Sequence, residues 1–187
     1  MRIIPTKISH CYQIIPDIFE DNRGRFVKIF HHDLFKDKGL NTHFAEEYYT
    51  VSNQGVLRGL HFQKPPMQHT KMVYCVSGEV MDAVVDLRIG SPTFGRYELF
   101  TLDAKLANII YIPPGLAHGF YVTSQCARLV YKVSTVYSPE HDAGILWNSA
   151  GIPWPEGSPT LSSRDCTFPL LADFESPFHY QSEQENG

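Results

Sequence analysis

Two histidines stand in apolar stretches that could carry them into the interior of a folded domain. His61 lies within residues 56–63 (VLRGLHFQ) and His118 within residues 112–120 (IPPGLAHGF), each with a glycine nearby. An imidazole can take up or release a proton near neutral pH, which suits it to acid–base chemistry. A single histidine in a strand is more often structural, but two on successive strands indicate a functional site.

A metal centre is the first kind of site to consider. Its candidate ligands are His61, Gln63, His69 and His118. Iron, manganese or zinc needs three or four suitable nitrogen, oxygen or sulfur ligands. Glutamine is a poor ligand for these metals, and the carboxylate that such a set needs near the first stretch is missing. The sequence therefore predicts no metal.

Cations stand near His61 instead. Arg58 precedes it, and Lys71 opens the next candidate strand. A barrel interior that holds histidine, arginine and lysine would bind an anion or stabilise an oxyanion. Arg58 and His61 are an odd number of residues apart, so a regular strand would place them on opposite faces. A bulge at Gly59 would bring them to the same side.

Composition limits the class of protein. The chain has 187 residues, of which 43% are hydrophobic and 13% aromatic, which fits one domain with a substantial core. The net charge of -4 and the lack of a basic block argue against nucleic acid as a partner. The four scattered cysteines form no CxxC pair, and no apolar run is long enough to span a bilayer. We therefore expect a soluble, cytoplasmic protein with reduced thiols and no membrane partner.

The order of the elements predicts an all-β protein. Short strands separated by glycine and proline turns run between residues 27 and 133, which is typical of a sandwich or barrel. They are predicted at residues 71–76, 79–87, 97–102, 108–112, 120–123 and 127–133. One short helix is expected at 32–38, before Gly39. Residues 1–25 should form an N-terminal strand arm, the segment from 151 should wrap the barrel, and 181–187 should be a disordered tail of this single domain, 1–187.

Several motifs together resemble one family. Residues 112–120 resemble the second cupin motif, and 56–63 resemble the first with Gln63 in place of its usual second histidine. With the other matching stretches, the chain resembles the dTDP-4-dehydrorhamnose 3,5-epimerase family over nearly its whole length. Those stretches are 21–24 (DNRG), 78–80 (GEV), 85–88 (VDLR), 91–95 (SPTFG), 131–132 (YK), 137–139 (YSP), 144–147 (GILW) and 161–165 (LSSRD).

The resemblance implies a cupin (jelly-roll) barrel, a homodimer, no cofactor, and epimerisation of a nucleotide-diphosphate 4-keto-6-deoxy sugar at C3, C5 or both. It makes His61 the general base, oriented by Asp165. It makes Lys71 the group that stabilises the enolate, and Tyr131 the general acid on the opposite face of the sugar.

The resemblance also implies a set of substrate-binding residues. Arginines and His118 would hold the diphosphate and sugar, Tyr137 would stack on the base, and Phe26 would line that region, from the same or the partner subunit. The set is Arg23, Phe26, Lys28, Glu46, Tyr48, Arg58, Gln63, His118, Tyr137 and Arg164.

The chain departs from the family pattern around the nucleotide base. Lys28 stands where the family has Glu, Glu46 where it has Gln, Tyr48 where it has Asn, and Val136 where it has Tyr. Either the base pocket is altered and accepts CDP or GDP sugars, or Glu46 and Lys28 pair at the surface and thymine is retained. A keto-isomerase on the same substrate class and a non-catalytic cupin sugar-binding module are the alternative functions.

Overall fold

The computed structural model describes residues 1–181, in which two antiparallel sheets face each other. The six-stranded sheet has the order β1-β2-β10-β7-β12-β5, the five-stranded sheet has the order β13-β6-β11-β8-β9, and β3 and β4 form a separate hairpin. The strands are β1 (Arg2–Pro5), β2 (Tyr12–Ile15), β3 (Ile18–Asp21), β4 (Gly24–Val27), β5 (Glu46–Asn53), β6 (Leu57–Gln63), β7 (Lys71–Ser77), β8 (Glu79–Asp86), β9 (Tyr97–Asp103), β10 (Ile109–Ile112), β11 (Leu116–Val122), β12 (Cys126–Val133) and β13 (Asp142–Gly144).

The main core fills the space between the sheets. Ile110 and Leu129 from the six-stranded sheet pack with Val84 and Phe120 from the five-stranded sheet, and each is at most 1% exposed. Burying such side chains contributes roughly 1.5–3 kcal/mol each. The predicted all-β cupin barrel is confirmed.

Both sheets are also covered on their outer faces. The helix α1 (His32–Asp37) places Phe35 against Met72 and Ile109 of the six-stranded sheet. On the other side, Phe178 of the C-terminal segment packs against Phe62 of the five-stranded sheet. The predicted wrap by the C-terminal segment is therefore confirmed, and it explains why the central strands are apolar on both faces.

The predicted strands agree with the structure to within about two residues, with one exception. The strand expected at 120–123 begins at Leu116 and therefore contains His118. In the sequence, Gly119 indicates the end of a strand. In the structure it lies inside β11, opposite a bulge in β6. A Cβ at Gly119 would lie 2.7 Å from the backbone oxygen of Arg58, so only glycine fits.

The helix prediction is nearly right: α1 ends at Asp37, and Gly39 follows with φ of 67°. The tail predicted at 181–187 lies outside the described residues apart from Gln181. Within residues 1–181, the structure has no helix of the length and apolarity that crossing a membrane requires.

Candidate active site

A cavity of about 360 Å³ opens between the two sheets and gathers most of the predicted site residues. Those that line it are Glu46, Tyr48, Arg58, His61, Gln63, Lys71, His118, Tyr131, Tyr137 and Arg164. Asp165 lies directly behind His61. Arg23, Phe26 and Lys28 do not line this cavity of their own chain.

The bulge in β6 brings Arg58 and His61 into one cavity. The pairing of β6 with β11 slips between His118 and Phe120, so that three steps along β6 match two along β11. Gly59 sits at this slip with φ of 142°, where a Cβ would lie 2.6 Å from Cα of Gly119. The bulge considered from the sequence is therefore present, and it overcomes the odd spacing of the two side chains.

His61 is held by a carboxylate from the C-terminal segment. Its Nε2 lies 2.9 Å from Oδ1 of Asp165, and the backbone N–H of Gly59 donates to Oδ2 over 3.2 Å. Burial would raise the pKa of Asp165, but the hydrogen bonds from His61, Ser162 and Gly59 outweigh it and hold that pKa below its ordinary value. An ionised carboxylate only accepts hydrogen bonds, so Nε2 of His61 carries the proton and Nδ1 is the basic nitrogen.

The electrostatic balance keeps His61 neutral. Burial lowers the pKa of His61 below its ordinary value, and Asp165 opposes part of that shift. A neutral imidazole with a fixed tautomer can act as a base at neutral pH.

Lys71 is a buried cation without a close counter-ion. It is 7% exposed, and no ion pair or hydrogen bond joins its Nζ to any other residue between 1 and 181. Burial lowers the pKa of Lys71 to about 8, although Asp82 and Asp142 act in the opposite direction. An ammonium group of this kind is available to meet negative charge that develops on a ligand.

Tyr131 approaches the cavity from the wall opposite His61, because β12 belongs to the six-stranded sheet and β6 to the five-stranded one. Its ring stacks on Tyr48 at a centroid distance of 4.8 Å and an interplanar angle of 13°. Its hydroxyl lies 3.5 Å from Oγ1 of Thr50, and burial raises the pKa of Tyr131. The hydroxyl is therefore protonated and faces the same space as the imidazole.

A second histidine–carboxylate pair was missed from the sequence. Nε2 of His118 lies 2.8 Å from Oδ2 of Asp82, and both residues are buried. The sequence does contain a signal for this pair. Asp82 lies two residues from both Val80 and Val84 in β8, so the acid shares the inward face with two core valines. A carboxylate at such a position requires a partner, and His118 supplies it.

Gln63 lines the cavity, and its amide is also hydrogen-bonded to the protein's own loop. Its Oε1 accepts from the backbone N–H of Ser138 over 2.6 Å, and its Nε2 donates to the carbonyls of Met67 and Val136. These bonds hold the segment that carries Tyr137 against the end of β6. Gln63 thus shapes the cavity wall.

The rim of the cavity is formed by charged and polar groups that are joined by hydrogen bonds and ion pairs. Glu46 accepts from the backbone N–H of Tyr137 over 2.7 Å, and the hydroxyl of Tyr137 donates to Asp142. Arg164 pairs with Asp142 and lies 3.7 Å from Oδ1 of Asp165. Tyr137 is 56% exposed, so its ring is accessible at the rim.

The hairpin of β3 and β4 lies apart from the cavity. Arg23 pairs with Asp21 at 2.5 Å and its side chain is 86% exposed, while Phe26 is exposed beside Phe19. Among residues 1–181 no three His, Cys, Asp or Glu side chains are grouped to hold a metal ion. His61 and His118 are each paired with one carboxylate instead, and His69, which also lines the cavity, is not paired with one in the described part of the chain.

The fold and site together define a cupin-type barrel with acid–base groups on both walls and cations between them. A family model described as dTDP-4-dehydrorhamnose 3,5-epimerase matches residues 5–173. The chain is 41% identical over 168 residues to a dTDP-4-dehydrorhamnose 3,5-epimerase of Shigella flexneri, covering 88% of this chain and 93% of that protein. It is 40% identical over 176 residues to a dTDP-4-dehydrorhamnose 3-epimerase of Streptomyces niveus, covering 92% and 85% of the two chains.

A solved structure gives the same result. The dTDP-6-deoxy-D-glucose-3,5-epimerase of Legionella pneumophila, crystallised with dTDP-4-keto-L-rhamnose, superposes with a TM-score of 0.91 at 36% identity, covering 97% of this chain and 99% of that one. The chain belongs to the dTDP-4-dehydrorhamnose 3,5-epimerase family, and it is an isomerase of the epimerase type.

Proposed function

We propose that this enzyme inverts one or both carbons beside the keto group of a nucleotide-diphosphate 4-keto-6-deoxy sugar, without a metal or an organic cofactor. The observation that carries the proposal is the placement of His61 and Tyr131 on opposite walls of one cavity that also contains Lys71. The names of the relatives support the substrate class.

The first step is removal of a proton by Nδ1 of His61. A ketone at C4 acidifies the protons on C3 and C5, and loss of either gives an enolate. Asp165 holds the tautomer that leaves Nδ1 free and stabilises the imidazolium that forms. The charge that develops on the former ketone oxygen is met by Lys71, which lowers the barrier because that charge is largest after the proton leaves.

Inversion needs a proton delivered to the other face of the sugar. The hydroxyl of Tyr131 is protonated and lies on the opposite wall, so it donates to the carbon from which His61 removed a proton on the far side. Arg58, His118 and Arg164 would hold the sugar and diphosphate, and Tyr137 would stack on the base.

The position of the exposed β3–β4 hairpin is consistent with a homodimer. Arg23 and Phe26 lie outside the cavity of their own chain, and Phe26 is 60% exposed. We propose that this hairpin reaches the cavity of a second copy, where the arginine would contact the diphosphate and the phenylalanine would line the base region.

Deuterium exchange tests the function directly. The chelator-treated protein is incubated with dTDP-4-keto-6-deoxyglucose in deuterated water, and the sugar is analysed by mass spectrometry and NMR. Exchange with inversion at C3, C5 or both supports the proposal and identifies the carbon. A shifted carbonyl would indicate a keto-isomerase, binding without exchange would indicate a sugar-binding module, and activity that needs added metal would contradict the cofactor-independent mechanism.

The dependence of kcat/KM on pH should follow the titration of His61 and Lys71. Burial lowers the pKa of His61 below its ordinary value and that of Lys71 to about 8. The base is active when neutral, so kcat/KM should rise with pH through a value below that of an ordinary histidine. The ammonium is active when charged, so kcat/KM should fall as pH rises through about 8.

The matched variant for this profile is Lys71→Arg. A guanidinium stays charged throughout the range, so the variant should be slower but lose the basic limb. Two results would show that Lys71 does not cause the fall in kcat/KM at high pH. One is wild-type activity that is flat to pH 10 (about two units above that pKa), and the other is an unchanged basic limb in the variant.

Nucleotide choice is predicted from Glu46 at the rim. An ionised carboxylate only accepts hydrogen bonds, so it favours a base edge rich in donors, such as guanine or cytosine, over thymine. No ion pair between Glu46 and Lys28 occurs within residues 1–181, and one Glu46 oxygen already accepts from the backbone of Tyr137. We expect calorimetry to show that dTDP binds less than about tenfold tighter than the better of CDP and GDP.

The variant Glu46→Gln, which restores an amide, should raise the preference for dTDP. If wild-type protein binds dTDP at least tenfold tighter than both other diphosphates (about 1.4 kcal/mol), the altered base pocket is excluded.

A further inference from the structure

His69 has a buried ring nitrogen that no residue satisfies. Its Nδ1 lies 3.2 Å from Nε2 of Gln63 and 3.3 Å from Oγ1 of Thr135. Its Nε2 is buried and has no hydrogen-bond partner within residues 1–181. Leaving a buried polar atom unpaired is destabilising, so the position calls for a partner other than a side chain.

The imidazole of His69 is neutral. Burial lowers the pKa of His69 to about 3, and the charge of Lys71 adds to the shift. A neutral ring has one nitrogen that donates and one that accepts, and the contacts of Nδ1 permit either tautomer. A water molecule can satisfy Nε2 in both cases, because water donates and accepts.

A small space lined by His69 lies next to the main cavity, with which it shares His69, Lys71 and Gln63. Its volume is about 10 Å³, which is close to the minimum for one water molecule. His69, Lys71 and Gln63 supply its polar lining, and Phe62 and Leu116 are among its apolar neighbours. A water there would have polar groups on one side and hydrocarbon on the other.

Lys71 is the second group in need of a partner. Its ammonium has only donors to offer and lacks an acceptor among the described residues. Asp82 and Asp142 favour its charged form through space, but neither is within ion-pair distance in the described chain. The side chain of lysine is long and flexible, so an ammonium without a bonded partner is poorly fixed.

We propose that one water molecule in this space bridges Nε2 of His69 and Nζ of Lys71, which makes His69 a positioning residue for the ammonium that meets the enolate oxygen. The water accepts from Nζ and either accepts from or donates to Nε2, according to the tautomer. The role of Lys71 in this inference rests on the proposed function, whereas the water itself does not.

A crystal structure of the wild-type protein at high resolution tests the site without any activity. We expect one ordered water within about 3 Å of both nitrogens. Hydrocarbon contact with no water at that position, or a direct bond between the two nitrogens, would overturn the proposal even if every variant failed to fold.

Two substitutions test the positioning role. In His69→Leu the volume is nearly kept and the polar atom is lost, so kcat should fall about tenfold or more while KM changes little. In His69→Gln an amide can hold the same water, so most of kcat should return. The control His179→Leu replaces an exposed histidine and should leave both constants unchanged.

The outcomes separate the two proposals. Equal losses in the leucine and glutamine variants, or no loss in either, would contradict the positioning role. A wild-type protein that neither exchanges nor inverts the sugar would contradict the proposed function, and the crystallographic water would still be decided by the electron density.

Discussion

Replacing His61 with alanine should reduce deuterium uptake at every exchangeable carbon of the sugar by roughly a thousandfold or more. Nδ1 of His61 is the basic nitrogen, because Nε2 is bonded to an ionised Asp165. Proton removal precedes both exchange and inversion, so both must be lost together. Deuterium content measured by mass spectrometry over time gives the exchange rate directly.

Two comparisons make the result specific to the base. Asp165→Asn should retain more activity than His61→Ala, because it disturbs the orientation and tautomer of the ring but leaves a base in place. His43→Ala, which alters an exposed histidine, should behave as wild type, and thermal unfolding of all variants should show an intact fold. Exchange at a near wild-type rate in His61→Ala would mean that another group is the base.

Replacing Tyr131 with phenylalanine should uncouple exchange from inversion. The change removes only the hydroxyl, and the ring can still stack on Tyr48. His61 still removes a proton and returns a solvent-derived one to the same face, so deuterium enters with the configuration retained. Inversion should slow by roughly a hundredfold, as expected for loss of a general acid.

NMR of the recovered sugar separates the two rates. Tyr49 lies on β5 and is 69% exposed, so the control Tyr49→Phe should leave both rates unchanged. A normal yield of the inverted sugar from Tyr131→Phe would exclude this residue as the proton donor. Equal losses of exchange and inversion would assign it to binding.

The strands and the two histidine stretches could be predicted because they depend on local pattern. The C-terminal carboxylate could not be derived this way, since Asp165 and His61 are 104 residues apart and only the family resemblance connected them. Asp82 was overlooked although its position on an inward face was readable. The two residues differ: Asp165 could be named only from the family resemblance, whereas Asp82 could have been found by asking which buried acid would pair with His118.

The bulge shows a different limit of the sequence. The odd spacing of Arg58 and His61 predicts opposite faces of a regular strand, and Gly59 indicates only that a bulge is possible. The contact between Gly59 and Gly119 that permits the slip lies between two strands, so neither glycine explains it alone. Gln63 stands at the position of a cupin histidine, but the sequence does not show that backbone groups from two loops bond to its amide.

The position of Asp165 has a consequence for how the enzyme is made. During synthesis, the barrel strands that supply His61, Lys71 and Tyr131 leave the ribosome before the segment that carries the aspartate. A nascent chain that stops short of that segment would possess the base without its fixed tautomer. Full activity therefore requires that the last quarter of the polypeptide has docked, and loss of that segment after a protease cut between β13 and Asp165 would lower activity while leaving the strands of the barrel uncut.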